Sequence, residues 1–202
     1  MEPREIDTPH GPARAHLQPV EAPRALLILG HGAGGGVTAP DLVTAAEEAV
    51  KAQVSVALVE QPYRVAGRKS PAPAHHLDAA WLAVVEALRG DAPLLCGGRS
   101  SGARVACRTA AAAGAAGVLC LAFPLHPPGR PEKTRLPELE EVEVPVLIVQ
   151  GSSDPFGMPP ERPSPPTRQV VRLKGDHGLK SDRPGLRAAV SGWLEQRLTG
   201  TA

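Results

Sequence analysis

Apolar strand-like runs alternate with helix-like segments along most of this chain, and this alternation limits the folds that it can adopt. Six runs rich in Val, Ile and Leu cover 26–29, 54–60, 92–98, 115–123, 144–151 and 168–175. Four segments with helix-like patterns lie at 39–50, 74–90, 101–114 and 183–198. Continuous apolar strands interleaved with helices are typical of a parallel sheet that is covered by helices on both faces.

The rest of the sequence leaves room for little more than this sheet. Before residue 24 there is space for one antiparallel hairpin, which would pair REID with ARAHL. The chain has 202 residues, 42% of them hydrophobic, and this fits one globular domain over residues 1–202. Because only 2% of the residues are aromatic, Ala, Val and Leu must build the core.

The sequence lacks the features that binding to nucleic acid or to a membrane requires. The net charge is +1 and the chain has no extended basic cluster, so we expect no nucleic acid as a partner. No stretch approaches the roughly 18 apolar residues of a membrane span, so we expect no membrane partner either. The sequence leaves the oligomeric state open.

The N-terminal sequence and the cysteines favour a reducing compartment. The segment MEPREIDTPHG has no apolar stretch of the kind found in secretory signals. The three cysteines, Cys96, Cys107 and Cys120, are odd in number and form no C-x-x-C pair. We therefore expect neither disulfides nor a zinc site, and a cytoplasmic location.

The sequence CGGRSSGARVA places a serine where a strand-like run changes into a helix-like segment. Residues 98–102 fit the pattern G-x-S-x-G centred on Ser100, whereas Ser101 would need glycines at positions 99 and 103. Serine between glycines is often only a turn residue. At a strand-to-helix junction, however, this pattern predicts a nucleophile held on a sharp turn, with the next amide, that of Ser101, facing the carbonyl under attack.

A serine nucleophile needs a base, and the base needs an acid that orients it. In a parallel sheet these partners come from loops at the same edge, after later strands. Asp154 follows the run at 144–151 and His177 follows the run at 168–175, which gives the chain order Ser, Asp, His. The pattern predicts His177 as the base and Asp154 as the acid.

Both partners also have simpler interpretations. Asp154 precedes a proline and can open a turn, and His177 can be a surface-loop histidine. Three other carboxylates are rival acids: Asp176, which is poorly placed as the immediate neighbour of His177, and the weaker candidates Glu60 and Asp182.

The glycine-rich segment GHGAGGG at 30–36 has two interpretations. It fits the dinucleotide motif G-x-G-x-x-G, with Glu60 as a ribose-binding acid. That motif requires the helix to begin within the glycines, whereas the helix-like pattern starts near Pro40. The favoured interpretation is an oxyanion loop in which the Ala33 amide faces the nucleophile, together with that of Ser101. His31 would brace this loop.

Other residues after strand ends are candidates for the walls of a substrate site. We name His31, Tyr63 and His126 as candidate lining residues, because each follows one of the strand-like runs. A turn-rich connection is an equally good interpretation for the surroundings of His126.

Five strings of the sequence resemble a known family: LGHGAGGG, GGRSSGARVA, FPLHPPGRPEKTR, QGSSDPFG and GDHGL. In content and order they look like the α/β-hydrolase family of testis-expressed protein 30 and NSL-complex subunit 3, close to the dienelactone-hydrolase-like branch. The resemblance covers nearly the whole chain. It implies an α/β-hydrolase fold, with a mostly parallel sheet, helices on both faces and no lid domain. It also implies Ser100 as nucleophile, Asp154 as acid and His177 as base.

One segment departs from the family pattern. Between Asp154 and the last strand the chain reads PFGMPPERPSPP, which has too many prolines for the helix expected there. We therefore predict an irregular crossover at this point.

Together these features predict a serine hydrolase that acts on a small-molecule ester or thioester, without a metal or other cofactor. Two other classes stay open. One is a non-catalytic interaction module, because the family includes a scaffold subunit of a chromatin-modifying complex and a fold does not prove activity. The other is a nucleotide-binding oxidoreductase that uses the glycine loop.

Overall fold

The computed structural model of the chain describes residues 3–199. Eight strands form one sheet: β1 (Arg4–Ile6), β2 (Ala13–Gln18), β3 (Ala25–Gly30), β4 (Val54–Glu60), β5 (Leu94–Arg99), β6 (Gly117–Leu121), β7 (Val146–Gly151) and β8 (Arg168–Leu173). The helices are α1 (Pro40–Lys51), α2 (Pro62–Val65), α3 (Ala74–Leu88), α4 (Ser101–Ala113), α5 (Leu136–Glu140) and α6 (Arg183–Thr199). The single-domain prediction for residues 1–202 includes residues 1, 2 and 200–202, which lie outside the described part.

The sheet has the order β1-β2-β4-β3-β5-β6-β7-β8. The six strands from β3 to β8 are parallel to one another, while β2 runs antiparallel to β4 and to β1. The predicted hairpin is confirmed, with Arg4 paired to Ala15 and Ile6 to Ala13. The mostly parallel sheet predicted from the apolar runs is confirmed as well.

Alternate side chains of the central strands pack into two separate apolar layers, one on each face of the sheet. In β3, Ile28 packs into a layer that contains Trp81 of α3, while Leu27 and Leu29 pack into the layer of α1 and α6, which contains Trp193. Both layers consist mainly of Ala, Val and Leu side chains, as the scarcity of aromatic residues requires. The parallel strands therefore have helices on both faces, and their carboxyl ends share one edge.

The proline-rich crossover between β7 and β8 forms no helix, as predicted. Two guanidinium groups instead satisfy its proline carbonyls: Arg162 Nε donates to Pro166 O at 2.8 Å, and Arg168 Nε donates to Pro160 O at 2.7 Å. Arg162 and Arg168 also exchange a pair of backbone hydrogen bonds. These bonds anchor the crossover at the start of β8, so an irregular segment still has a defined path.

Two short helices, α2 and α5, fall in segments that the sequence pattern assigns to connections. Each has a proline at its start, where a missing N–H costs nothing. Helix α5 lies between β6 and β7 and is tied to α4 by Arg104 Nε, 2.9 Å from Glu138 Oε2. No connection within residues 3–199 holds an additional helical domain. No helix in this part of the chain is both long and apolar enough to cross a membrane.

Candidate functional site

Ser100 occupies the sharp turn between β5 and α4. Its backbone has φ 52° and ψ −109°, a positive-φ conformation that non-glycine residues rarely adopt and that costs on the order of 1–3 kcal/mol. The flanking glycines make the turn possible because a Cβ on Gly98 or on Gly102 would lie 2.5 Å or 2.3 Å from the carbonyl oxygen of Gly30. The G-x-S-x-G pattern is thus a steric requirement of packing this turn against the end of β3.

The two predicted partners of Ser100 lie beside it. His177, in the loop after β8, places Nε2 3.0 Å from Ser100 Oγ and Nδ1 2.8 Å from Asp154 Oδ2. Since an ionised carboxylate only accepts hydrogen bonds, Nδ1–H donates to Asp154, and the bare Nε2 accepts from the serine hydroxyl. The Asp154 side chain is fully buried, whereas that of His177 is 18% exposed. The arrangement can therefore remove a proton from Ser100 at the protein surface.

Gln150, near the end of β7, binds the same oxygen of the Asp154 carboxylate as the histidine. Its Nε2 lies 2.8 Å from Asp154 Oδ2, and it also reaches the carbonyl oxygens of Phe123 and Gly157. The amide of Phe156 donates to Asp154 Oδ1 at 2.9 Å. Gln150 is not among the site residues predicted from the sequence, although a glutamine at the end of an apolar run indicates an amide that becomes buried, as the structure shows.

The rival carboxylates have other partners. Asp176 Oδ1 accepts the Gly178 amide at 2.8 Å, and Asp182 Oδ1 accepts the Gly185 amide at 2.9 Å. Glu60 lies 3.2 Å from a ring nitrogen of His16. Asp154 is thus the carboxylate that the structure places against His177.

The glycine loop after β3 approaches the serine turn. A Cβ on Gly32 would lie 3.6 Å from Ser100 Cβ, so the loop passes directly beside the serine. Neither the Ala33 amide nor the Ser101 amide has a protein acceptor among the described residues. Helix α1 begins only at Pro40, so the glycine amides do not form a helix N-terminus of the kind that binds a pyrophosphate.

His31 and Tyr63 fix the shape of this loop. His31 is buried, accepts the Gln61 amide on Nε2 at 3.1 Å and donates from Nδ1 to Gly32 O at 2.8 Å. Tyr63 Oη donates to Ala33 O at 3.0 Å. These contacts fit a bracing role, and substrate contact by either residue stays a prediction.

His126 lies against the loop that carries Asp154. Its Nδ1 lies 2.9 Å from Pro127 O, and its Nε2 is so close to Gly157 that a Cβ there would lie 2.5 Å from it. Phe156, which no sequence motif indicates, has its ring 4.3 Å from that of His177 at an interplanar angle of 33°. Contact between His126 and a substrate stays a prediction.

Burial lowers the pKa of His31 from its usual 6.5, an effect that its hydrogen bond to Gly32 O opposes. Because the unfolded chain then binds this proton more readily, acidification below pH 6.5 favours unfolding until the folded-state pKa is reached. We expect His31 to lower the free energy of unfolding by up to about 1.4 kcal/mol for each pH unit of acidification in this range. Urea denaturation between pH 7.5 and 5 should show a shallower pH dependence for His31→Gln, and an unchanged slope would contradict this assignment.

Similarity to known proteins extends over nearly the whole chain. Residues 23–188 match the family described as the alpha/beta hydrolase domain. No curated protein has significant sequence similarity to the chain.

Several solved structures share the fold. A serine hydrolase without a lid from Xanthomonas campestris has a TM-score of 0.76 and 20% identity, covering 96% of this chain and 94% of its own. Est1E from Butyrivibrio proteoclasticus, solved with ferulic acid, has a TM-score of 0.77 and 17% identity, covering 97% and 99%. A dienelactone hydrolase from Anabaena variabilis has a TM-score of 0.71 and 15% identity, covering 99% of both chains.

The family match spans more than half of the residues, and the sheet order, the serine turn and the solved structures agree with it. The α/β-hydrolase fold implied by the sequence is therefore confirmed, and the chain belongs to the alpha/beta hydrolase family.

Proposed function

We propose that the protein is a serine hydrolase of the carboxylesterase type, which cleaves a small ester or thioester by acyl transfer to Ser100. The observation that carries this proposal is the hydrogen-bond chain from Ser100 through His177 to the buried carboxylate of Asp154, with distances of 3.0 and 2.8 Å. The motifs quoted above further suggest a place in the branch of testis-expressed protein 30 and NSL-complex subunit 3, near the dienelactone-hydrolase-like proteins.

The proposed reaction proceeds in two halves. Ser100 Oγ attacks the substrate carbonyl carbon while His177 Nε2 takes the hydroxyl proton, and the amides of Ala33 and Ser101 stabilise the oxyanion. The tetrahedral intermediate collapses, and the alcohol or thiol leaves with the proton from His177. Water then attacks the acyl-enzyme with His177 as base, which releases the acid and restores Ser100.

Asp154 supports both halves of the reaction. Its carboxylate keeps the proton of the neutral imidazole on Nδ1, so that Nε2 is free to accept the serine proton. It also stabilises the imidazolium that forms when His177 carries two protons. Protein groups and water supply the entire proposed mechanism.

The connections between the strands and the helices favour small substrates. Because no additional helical domain follows any strand within residues 3–199, a lid that opens at a lipid surface has no structural basis there. We therefore propose a soluble acyl ester of short chain as the preferred substrate class.

We expect p-nitrophenyl acetate and butyrate to be hydrolysed with a higher kcat/KM than the decanoate and longer esters. We also expect no jump in rate as a long-chain ester passes its critical micelle concentration. A series of esters from two to sixteen carbons, assayed below and above that concentration, checks both expectations. A rate that rises sharply on micelles would contradict the proposed substrate class.

A further inference from the structure

Arg99, the last residue of β5, directly precedes Ser100 and reaches two other parts of the fold. Its Nε lies 2.7 Å from Oδ2 of Asp41, in the first turn of α1. Its Nη2 donates to the main-chain carbonyl oxygen of His177 at 2.9 Å. One guanidinium thus joins the strand that carries the serine, the helix after the glycine loop and the loop that carries the histidine.

The same guanidinium also touches the glycine loop. A Cβ on Gly32 would lie 3.0 Å from Arg99 Nη1, so the loop and the planar group are packed against each other. Arg99 is therefore in contact with the segments that supply the nucleophile, the base and the proposed oxyanion amide of Ala33. Neither Arg99 nor Asp41 is among the site residues predicted from the sequence.

The pairing with Asp41 fixes the direction in which the guanidinium points. The Asp41 side chain is fully buried, and burial raises its pKa while Arg99 opposes the rise. A carboxylate buried without a partner is strongly unfavourable, so Asp41 holds the cation in place. Since the guanidinium is planar, anchoring Nε on Asp41 directs Nη2 at the carbonyl oxygen of His177. A lysine has no such fork and cannot serve both acceptors with the same geometry.

We infer that Arg99, oriented by Asp41, is a positioning residue that sets the main-chain position of His177 and thereby the distance from Nε2 to Ser100. The inference rests on the proposed function for its kinetic consequences. Its geometric consequence, an ordered His177 side chain, can be measured in the absence of any turnover.

The matched control is a second arginine–aspartate pair away from the serine. Arg108 Nη2 lies 2.6 Å from Asp78 Oδ1, joining α4 to α3, and its Nη1 lies 3.4 Å from Glu138 Oε2. Its side chain is 17% exposed against 19% for Arg99. Arg108→Lys therefore reports what the loss of a comparable ion pair does to stability and to activity.

We expect Arg99→Lys to lower kcat for p-nitrophenyl acetate by about 10- to 100-fold, with KM changed by less than about threefold, because a small displacement of the base costs rate more than binding. Arg108→Lys should keep kcat within about twofold. Asp41→Asn should give a smaller loss of about threefold to tenfold, because the guanidinium is kept and a neutral amide oxygen can still lie beside it.

Proton NMR supplies the readout that does not need turnover. The Nδ1–H proton of His177, held against Asp154, should give a slowly exchanging low-field signal in the wild type and in Arg108→Lys. In Arg99→Lys that signal should be broadened or absent, while circular dichroism shows a native fold. If Arg99→Lys does not fold, Asp41→Asn takes its place.

A folded variant with both wild-type kcat and a wild-type His177 signal would overturn the inference. So would equal losses in Arg99→Lys and Arg108→Lys, because a purely structural ion pair predicts that result. An inactive wild type that still shows the Arg99-dependent signal would contradict the proposed function and support the positioning role.

Discussion

Replacing Ser100 with alanine should lower kcat for ester hydrolysis by about 10⁶-fold, because removal of the attacking oxygen from a Ser-His-Asp site removes the acyl-enzyme route altogether. Ser101→Ala is the matched control. It removes a neighbouring hydroxyl but keeps the amide proposed to hold the oxyanion, so its kcat should stay within a few-fold of the wild type. Hydrolysis of p-nitrophenyl acetate by the purified variants gives the comparison.

A fluorophosphonate probe tests the same residue without any assumption about the substrate. The activated oxygen attacks phosphorus and displaces fluoride, so the folded protein should be labelled once, at Ser100. Labelling should disappear in Ser100→Ala and after heat denaturation, and persist in Ser101→Ala. Native wild-type protein that resists a high concentration of the probe would contradict the hydrolase proposal and favour the non-catalytic interaction module.

The energetics of the site support a catalytic role over a retained scaffold. Ser100 has a strained backbone that costs stability, whereas the burial of the Asp154 carboxylate is offset by its hydrogen bonds. A protein that used this surface only for binding would gain stability from a glycine at position 100. A residue that is unfavourable for folding yet completes a hydrogen-bond chain is expected where function requires it.

The strands and the long helices could be predicted because their signals are local. Apolar runs and helix-like periods can be recognised in the sequence without knowledge of tertiary contacts. Because the carboxyl ends of parallel strands share one edge of the sheet, Ser100, Asp154 and His177 could be placed together. The short helices α2 and α5 could not be predicted in this way. Each has too few residues to show a helical period, and its prolines are equally typical of a turn.

The supporting residues of the site were missed for a different reason. Arg99 acts through Asp41 and through a main-chain oxygen of His177, both far away in sequence, and no local pattern encodes these contacts. Gln150 serves three acceptors that converge only after β7 and its following loop have folded. Predicting such residues requires the geometry of neighbouring loops, whereas a nucleophile, base and acid carry recognisable chemistry and spacing.

The hydrogen bonds around Asp154 make its replacement by asparagine unusually informative. Oδ2 faces two donors, Gln150 Nε2 and His177 Nδ1–H, while Oδ1 faces the Phe156 amide. An asparagine that keeps its oxygen toward Phe156 presents its NH₂ to two donors. In the opposite orientation, its NH₂ meets the Phe156 N–H. In the first orientation the clash with His177 is relieved when the imidazole carries its proton on Nε2 instead of Nδ1. A protonated Nε2 can no longer take the serine proton.

We therefore expect Asp154→Asn to fold like the wild type yet lower kcat by about 10⁴-fold, the loss typical of a wrongly protonated catalytic histidine. Asp176→Asn is the matched control, since it makes the same chemical change in a loop at the same edge of the sheet. Within residues 3–199 the Asp176 carboxylate accepts one hydrogen bond, from the Gly178 amide 2.8 Å away, which an asparagine oxygen can also accept, so kcat should stay within about twofold. Steady-state kinetics of the two variants decide between the carboxylates. If Asp154→Asn left kcat nearly unchanged and Asp176→Asn lowered it strongly, the orienting role would belong to Asp176 instead.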